Sequence, residues 1–249
     1  MTKIHEPVKG IEIIDLALYL KEERILILAD VHIGYEEALT KQGVLIPKFH
    51  FRDIVERLEL LFETLDRTKR RVDTIIINGD LKHEFGTISE EEWRNTIKFI
   101  GLLSKRSERI VLIRGNHDSI LGPIAEKKDI LLVDQFLVGD ILICHGDVLP
   151  DILSSSPGSI RTIIIGHEHP AVSLKEGVRS ETFKAFLVGK YDRKDLIVQP
   201  SFNQMVEGTD VLQEGLLSPF LKGRDLGRFE AFIVADVVYP FGKLKALKK

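Results

Sequence analysis

The stretch TIIIGHEHP ends an apolar run on two histidines one residue apart, His167 and His169. Similar polar clusters follow four other apolar runs. RILIL leads to Asp30-Val-His32, TIII to Asn78-Gly79-Asp80, VLIR to Gly115-Asn116-His117-Asp118, and ILIC to His145. Together they offer Asp30, His32, Asp80, Asn116, His145, His167 and His169: carboxylates, one amide oxygen and imidazoles, with no thiolate. That set is too large for one tetrahedral zinc with an open position. It suits two divalent ions sharing a carboxylate. Mixed oxygen and nitrogen donors favour manganese, iron, cobalt or zinc over calcium. Residues two apart on an extended segment point the same way. Asp30 with His32, and His167 with His169, are therefore expected to act as units. Gly79, Gly115 and Gly166 are expected to turn the chain tightly before the ligands.

Such clusters need strands to carry them. The runs at 24–30, 72–78, 109–114, 140–145 and 161–166 are short, apolar and β-branched, as suits strands covered on both faces. In open α/β sheets, ligands gather beyond the carboxyl ends of the strands. From Phe51, apolar residues recur at Ile54, Val55, Leu58, Leu61, Phe62 and Leu65, which is helical spacing. A second helix opens at Ser89 with Glu92 three residues on, a capping box, and buries Trp93, Ile97 and Ile100. Further strands are read at 183–191, 195–201 and 229–239. Residues 202–228, with four glycines and one proline, read as mostly loop. The pattern predicts an α/β fold in which two mixed sheets pack face to face with helices outside. No composition shift divides residues 1–249, so one domain is expected; SSSPGS at 154–159 is the weakest point.

Hydrophobic content is 44%, charged content 29%, and the net charge −3. Bulk charge therefore gives no indication of nucleic-acid binding, and the lysine-rich end, GKLKALKK, reads as a solvated tail. No apolar stretch is long enough to span a membrane. No signal-peptide pattern opens the chain, so a cytoplasmic location is expected. The single cysteine rules out an intrachain disulfide.

D-x-H, G-D, G-N-H-D, H and G-H-x-H in this order resemble the motifs of the calcineurin-like metallophosphoesterases. The resemblance covers residues 30–169. DVHIG (30–34) and GDLKHEFG (79–86) are most similar to the branch containing the DNA double-strand-break repair nuclease. It implies a four-layer α-β-β-α sandwich with a dinuclear centre at one edge, manganese being the expected metal and nickel, iron, cobalt or zinc the alternatives. It also implies that Asp30, His32 and His169 hold one ion, that Asn116, His145 and His167 hold the other, and that Asp80 bridges them. His117 would contact the phosphate and assist the leaving oxygen, Asp118 would orient His117 through its other nitrogen, and His83 would take a phosphate role. A water activated by the two ions would attack phosphorus in line. The expected substrate is a phosphate ester, a nucleotide or nucleic acid among the options.

Other residues have plainer readings. Arg114 is expected in an ion pair and Cys144 in the core, facing away from the metals. His5 and His50 need only surface or core roles, and Asp147 and Glu168 sit beside ligands. The rival functions are phosphomonoesterase, nucleotide pyrophosphatase, or a non-catalytic scaffold of the same fold, as the retromer subunit is.

Overall fold

A computed structural model describes residues 4–44, 49–84, 88–118, 121–122, 126, 130–155, 158–177 and 179–247. Phe85 and Gly86 of GDLKHEFG, residues 156–157 of SSSPGS, and the last two lysines of the tail lie outside these.

The chain opens with an antiparallel meander, β1 (His5–Val8), β2 (Ile11–Ile14) and β3 (Ala17–Leu20). It pairs with β4 (Ile25–Ala29), after which the first sheet turns parallel through β5 (Thr74–Asn78), β6 (Arg109–Ile113) and β7 (Leu131–Val133). Between these strands run α1 (Tyr35–Lys41), α2 (His50–Arg67) and α3 (Glu90–Leu103). The apolar stripe of α2 is buried at Ile54, Leu58, Leu61, Phe62 and Leu65, as its spacing predicts.

The second sheet contains β8 (Gln135–Val138), β9 (Ile141–Cys144), β10 (Thr162–Ile165), β11 (Pro170–Glu176), β12 (Arg179–Tyr191), β13 (Lys194–Val198), β14 (Thr209–Asp210), β15 (Glu230–Val234) and β16 (Val238–Lys243). Here β9, β10 and β13 are parallel neighbours and the rest is mainly antiparallel. The stretch 229–239, read as one strand, is a hairpin: the chain reverses where Ala235 N–H meets the Val237 carbonyl, and β15 pairs with β16.

Strand periodicity divides the core. Ile143, Ile164, Phe186 and Ile197 join the first sheet and its helices in one apolar cluster. Their neighbours Leu142, Ile163, Ile165, Leu187 and Leu196 face a second cluster with Phe220, Leu221 and Leu226. The outer layer on that side is thin. It consists of the short α4 (Ile152–Ser155), two 3-10 turns and loop, rather than full helices. The loop reading of 202–228 accounts for this.

Candidate metal centre

Parallel register brings the strand ends level: Ala29, Asn78 and Ile113 on one sheet, Cys144, Ile165 and Val198 on the other. The loops that follow meet across the gap. His167 N–H donates to both oxygens of Asp30 at 3.1 and 3.3 Å, Ser201 Oγ–H donates to the Asp30 carbonyl at 2.6 Å, and Phe202 N–H donates to the Ala29 carbonyl at 2.8 Å.

The loops are not extended. Asp30, His32, Asp80, His167 and His169 all lie in the left-handed region, with φ of 53, 49, 47, 62 and 48°. The expectation that spacing on an extended segment aims each pair is therefore corrected: the chain curls at both members of each pair and at Asp80. Two of the glycines also differ from expectation. Of the three, it is Gly79 that combines a positive φ, +80°, with crowding. At Gly115 and Gly166 the requirement is room. A Cβ there would lie 2.0 Å from Asp80 Oδ1 and 2.5 Å from Asp30 Oδ2.

Three groups of side chains have ligating atoms within 4.8 Å of one another: Asp30, His32 and His169; Asp80, His145 and His167; and His32, His83 and His117. His169 Nε2 is 3.3 Å from Asp30 Oδ1 and 3.2 Å from His32 Nε2. In the second group, Asn116 Oδ1 is 3.1 Å from His145 Nε2. Asp80 Oδ2 reaches the first two groups, at 3.7 Å from His32 Nε2 and 3.5 Å from His145 Nε2. Thus His167 and His169, separated by one residue, turn to different groups. Ring nitrogens and carboxylates, mostly buried and without a thiolate among them, form a donor set that fits two borderline-hard divalent cations.

The electrostatics agree with a site built to hold cations. Burial works to raise the Asp80 carboxyl, but His145, His32 and His117 outweigh it and hold it well below the usual carboxylate range. Burial likewise opposes charge on His145, yet Asp80 and Asp30 lift its imidazole to about 9. Burial, helped by His117, drops His83 to about 4, so it is neutral at pH 7. Burial, then the charge of Asp80, pushes the Asp118 carboxyl up to about 7.

Asp118 does not serve His117 as expected. His117 Nδ1–H donates to the His83 carbonyl at 2.5 Å. The Asp118 carboxylate instead folds back to accept from Gly115 N–H at 3.0 Å and Lys82 N–H at 3.5 Å, bracing the turn. His83 stacks on His117 with centroids 5.1 Å apart and planes at 24°, and its Nδ1 is 3.3 Å from His32 Nδ1. Tyr35 meets the His83 ring edge-on at 4.7 Å. The capping box is half made. Ser89 accepts from Glu92 N–H, but the Glu92 carboxylate accepts from His83 and Glu84 N–H at 2.9 and 3.1 Å.

Arg114 pairs with Asp134 at 2.7 Å. Cys144 is buried in the second core cluster, its thiol pushed by burial to about 12. His50 is buried against Asn203, and His5 meets the Val238 carbonyl. Glu168, between the two ligand histidines, is fully buried and accepts from Leu217 and Ser218 N–H, while Ser218 Oγ–H donates to the Gly146 carbonyl. Sequence reasoning gave no role to Lys82, Tyr35 or Ser218. A fully buried lysine inside GDLKH is the one signal that burial would have supplied.

Residues 23–185 match the family described as calcineurin-like phosphoesterase. No curated protein matches the chain. Among solved structures, the Pseudomonas putida nuclease MPE has a TM-score of 0.67 at 19% identity, covering 97% of this chain and 100% of that one. Wild-type Vps29 with zinc from Entamoeba histolytica aligns at 0.38 and 13% identity, over 86% and 95% of the two chains. The phosphoesterase Yfce of E. coli aligns at 0.36 and 13%, over 84% and 87%. The first of these shares the fold of two facing sheets. With the family match covering well over half its length, this chain belongs to the calcineurin-like phosphoesterases.

Proposed function

We propose that the protein hydrolyses phosphodiesters, nucleotides or nucleic acid among them, with two divalent ions at the sheet edge, manganese the favoured metal. One observation carries this reading. A single oxygen, Asp80 Oδ2, faces both ligand groups and also lies 3.8 Å from His117 Nε2. Asp30, His32 and His169 would hold one ion, Asn116, His145 and His167 the other, and Asp80 both. Bound there, such ions stabilise charge on a phosphoryl group and acidify water.

The chain's own residues then set the protons. With its Nδ1–H given to the His83 carbonyl, His117 turns Nε2 toward Asp80 Oδ2, 3.8 Å away, from where it would donate to a departing oxygen. His32, ligating through Nε2, keeps a hydrogen on Nδ1 and donates it to His83 Nδ1. His83 is thereby left with Nε2–H to offer a phosphate oxygen. The fold shared with a nuclease supports a diester over a monoester. A cytoplasmic site of action belongs to the same proposal, in keeping with a single buried thiol.

The test is hydrolysis of chromogenic phosphodiester and phosphomonoester substrates with manganese, nickel, zinc and magnesium. Turnover of the chromogenic diester is expected; on a dinucleotide, whose leaving alkoxide needs a proton, turnover should fall about 10²–10⁴-fold in His117→Ala, the usual share of a general acid. Absence of turnover with every metal would overturn hydrolysis, and a monoester preference would overturn the diesterase reading.

A further inference from the structure

Lys82 is among the largest fully buried side chains of the described residues, at 0% exposure. A buried ammonium is costly unless it is paired, and an apolar side chain of similar volume would be the cheaper filling. Its placement explains its presence. Lys82 Nζ donates to the carbonyl of Glu84 and, at 2.5 Å, to the carbonyl of His117. The carbonyl of His83, one residue before Glu84, takes the hydrogen of His117 Nδ1. A closed ring of contacts results, running from Lys82 along the chain to His83, across to the His117 imidazole, and back through the His117 carbonyl to the ammonium.

The rest of the segment is held as firmly. Lys82 N–H reaches Asp118, His83 N–H reaches the Ile33 carbonyl, and Glu92 receives His83 and Glu84 N–H. Apart from Lys82, every one of these contacts acts on the His83 loop or on the turn before His117. Asp118 also spans the two segments, from Lys82 N–H to Gly115 N–H, whereas Lys82 ties the His83 loop to the backbone of His117 itself.

We infer that Lys82 is a positioning residue: its ammonium locks the His83 loop to the His117 turn and so fixes the direction in which His117 Nε2 points. This rests on the proposed phosphodiesterase reading, in which His117 serves the leaving oxygen. It assigns Lys82 a selective effect. Substrates whose leaving group needs a proton depend on the lock, and substrates with an acidic leaving group do not.

The experiment compares Lys82→Met with wild type on a thymidine dinucleotide, which leaves as an alkoxide, and on bis(p-nitrophenyl) phosphate, which leaves as a stable phenolate. Expected is a kcat loss of about a hundredfold on the dinucleotide, a loss of under about threefold on the nitrophenyl ester, two ions still bound, and no further loss when Lys82→Met is added to His117→Ala. Equal losses on the two substrates, or losses that multiply with those of His117→Ala, would overturn the inference. Imidazole nitrogen NMR gives a readout independent of turnover: the His117 Nδ1 hydrogen should be slow to exchange in wild type and fast in Lys82→Met. If wild type hydrolyses neither ester, the proposed function fails while this NMR contrast still decides the role of Lys82. Lys82→Gln, which keeps an N–H donor on a shorter stem, should lose less than Lys82→Met. If neither variant yields a folded protein that binds two ions, Lys82 is a folding residue and the positioning role is wrong.

Discussion

On the first sheet, the loops after β4, β5 and β6 are laced to one another. Lys82, Asp118 and Glu92 bond to the backbone of residues 82–84 and 115–117, within a few residues of the side chains they support. On the second sheet, the loops after β9 and β10 lean on chain that comes much later. Glu168 is held by Leu217 and Ser218, and Ser218 reaches back to Gly146. On the first sheet, the loop after β4 shares such distant support, through Ser201 on the Asp30 carbonyl. The thin outer layer explains the contrast: with no long helix over the second sheet, loop 202–228 itself becomes the brace. One half of the centre is therefore supported mainly locally, and the other half is complete only when the last third of the chain has closed over it.

The largest way to break this comparison is at the residue both halves share. Asp80→Asn should lower diester turnover by about a thousandfold or more, since a charge facing both ligand groups is lost. Steady-state kinetics with metal counted by mass spectrometry checks it, and turnover within tenfold of wild type would refute the bridge. Next comes the division between the halves. His169→Asn should weaken the ion on the Asp30 side, and His167→Asn the ion on the His145 side, each by at least about 10–100-fold. Calorimetric titration resolves the two sites; equal weakening of both ions by either variant would leave the division unsupported.

A smaller effect separates the two kinds of support. Glu168→Leu strands two backbone N–H groups and should cost about 2 kcal/mol of stability by chemical denaturation. Asp118→Asn keeps an acceptor and should cost less than about 1 kcal/mol. If the two variants unfold alike, the contrast between local and distant bracing is wrong.

The last prediction concerns pH in the metal-free protein. His145 titrates at about 9 against an ordinary 6.5, because Asp80 and Asp30 favour its cation. A raised folded value means that this stabilisation is complete below 6.5 and fades as pH climbs through 9. Metal-free melting temperature should therefore fall across that window, by the equivalent of about 1–3 kcal/mol. With metal bound, which needs the neutral imidazole, the fall should be absent. Identical pH profiles for the two forms would count against it.

Much of this was legible in the sequence. The side chains that gather at the sheet edge could be read because each follows a β-branched run, and strand ends are where such sheets present polar groups. The α2 stripe and the Ser89 cap follow from spacing and from one side chain's reach. Other features depend on which of several possible partners a side chain takes in the folded protein and were not legible. Glu92 looks like a capping partner until the His83 loop arrives to claim its carboxylate. Asp118 looks like a partner for His117 until the Gly115 N–H proves nearer. The run at 229–239 conceals its hairpin because Ala-Asp-Val carries no glycine or proline to mark the reversal. The burial of Lys82 is invisible to any rule that reads lysine as surface.

The left-handed ligands have a bearing on how this protein should be dissected. For residues other than glycine that conformation is unfavourable by about 1–2 kcal/mol each, least so for asparagine and aspartate. Removing a ligand thus changes two things at once, the metal's coordination and the comfort of the backbone. An alanine at His32 or His169 keeps the strain and loses the donor, whereas an asparagine or glycine loses the donor and relaxes the chain. Stripped of metal, this edge holds curled backbone and crowded imidazoles with nothing to offset them. A sequence released from the need to bind would drift first at these positions, toward glycine and asparagine, and would gain stability by giving up its chemistry.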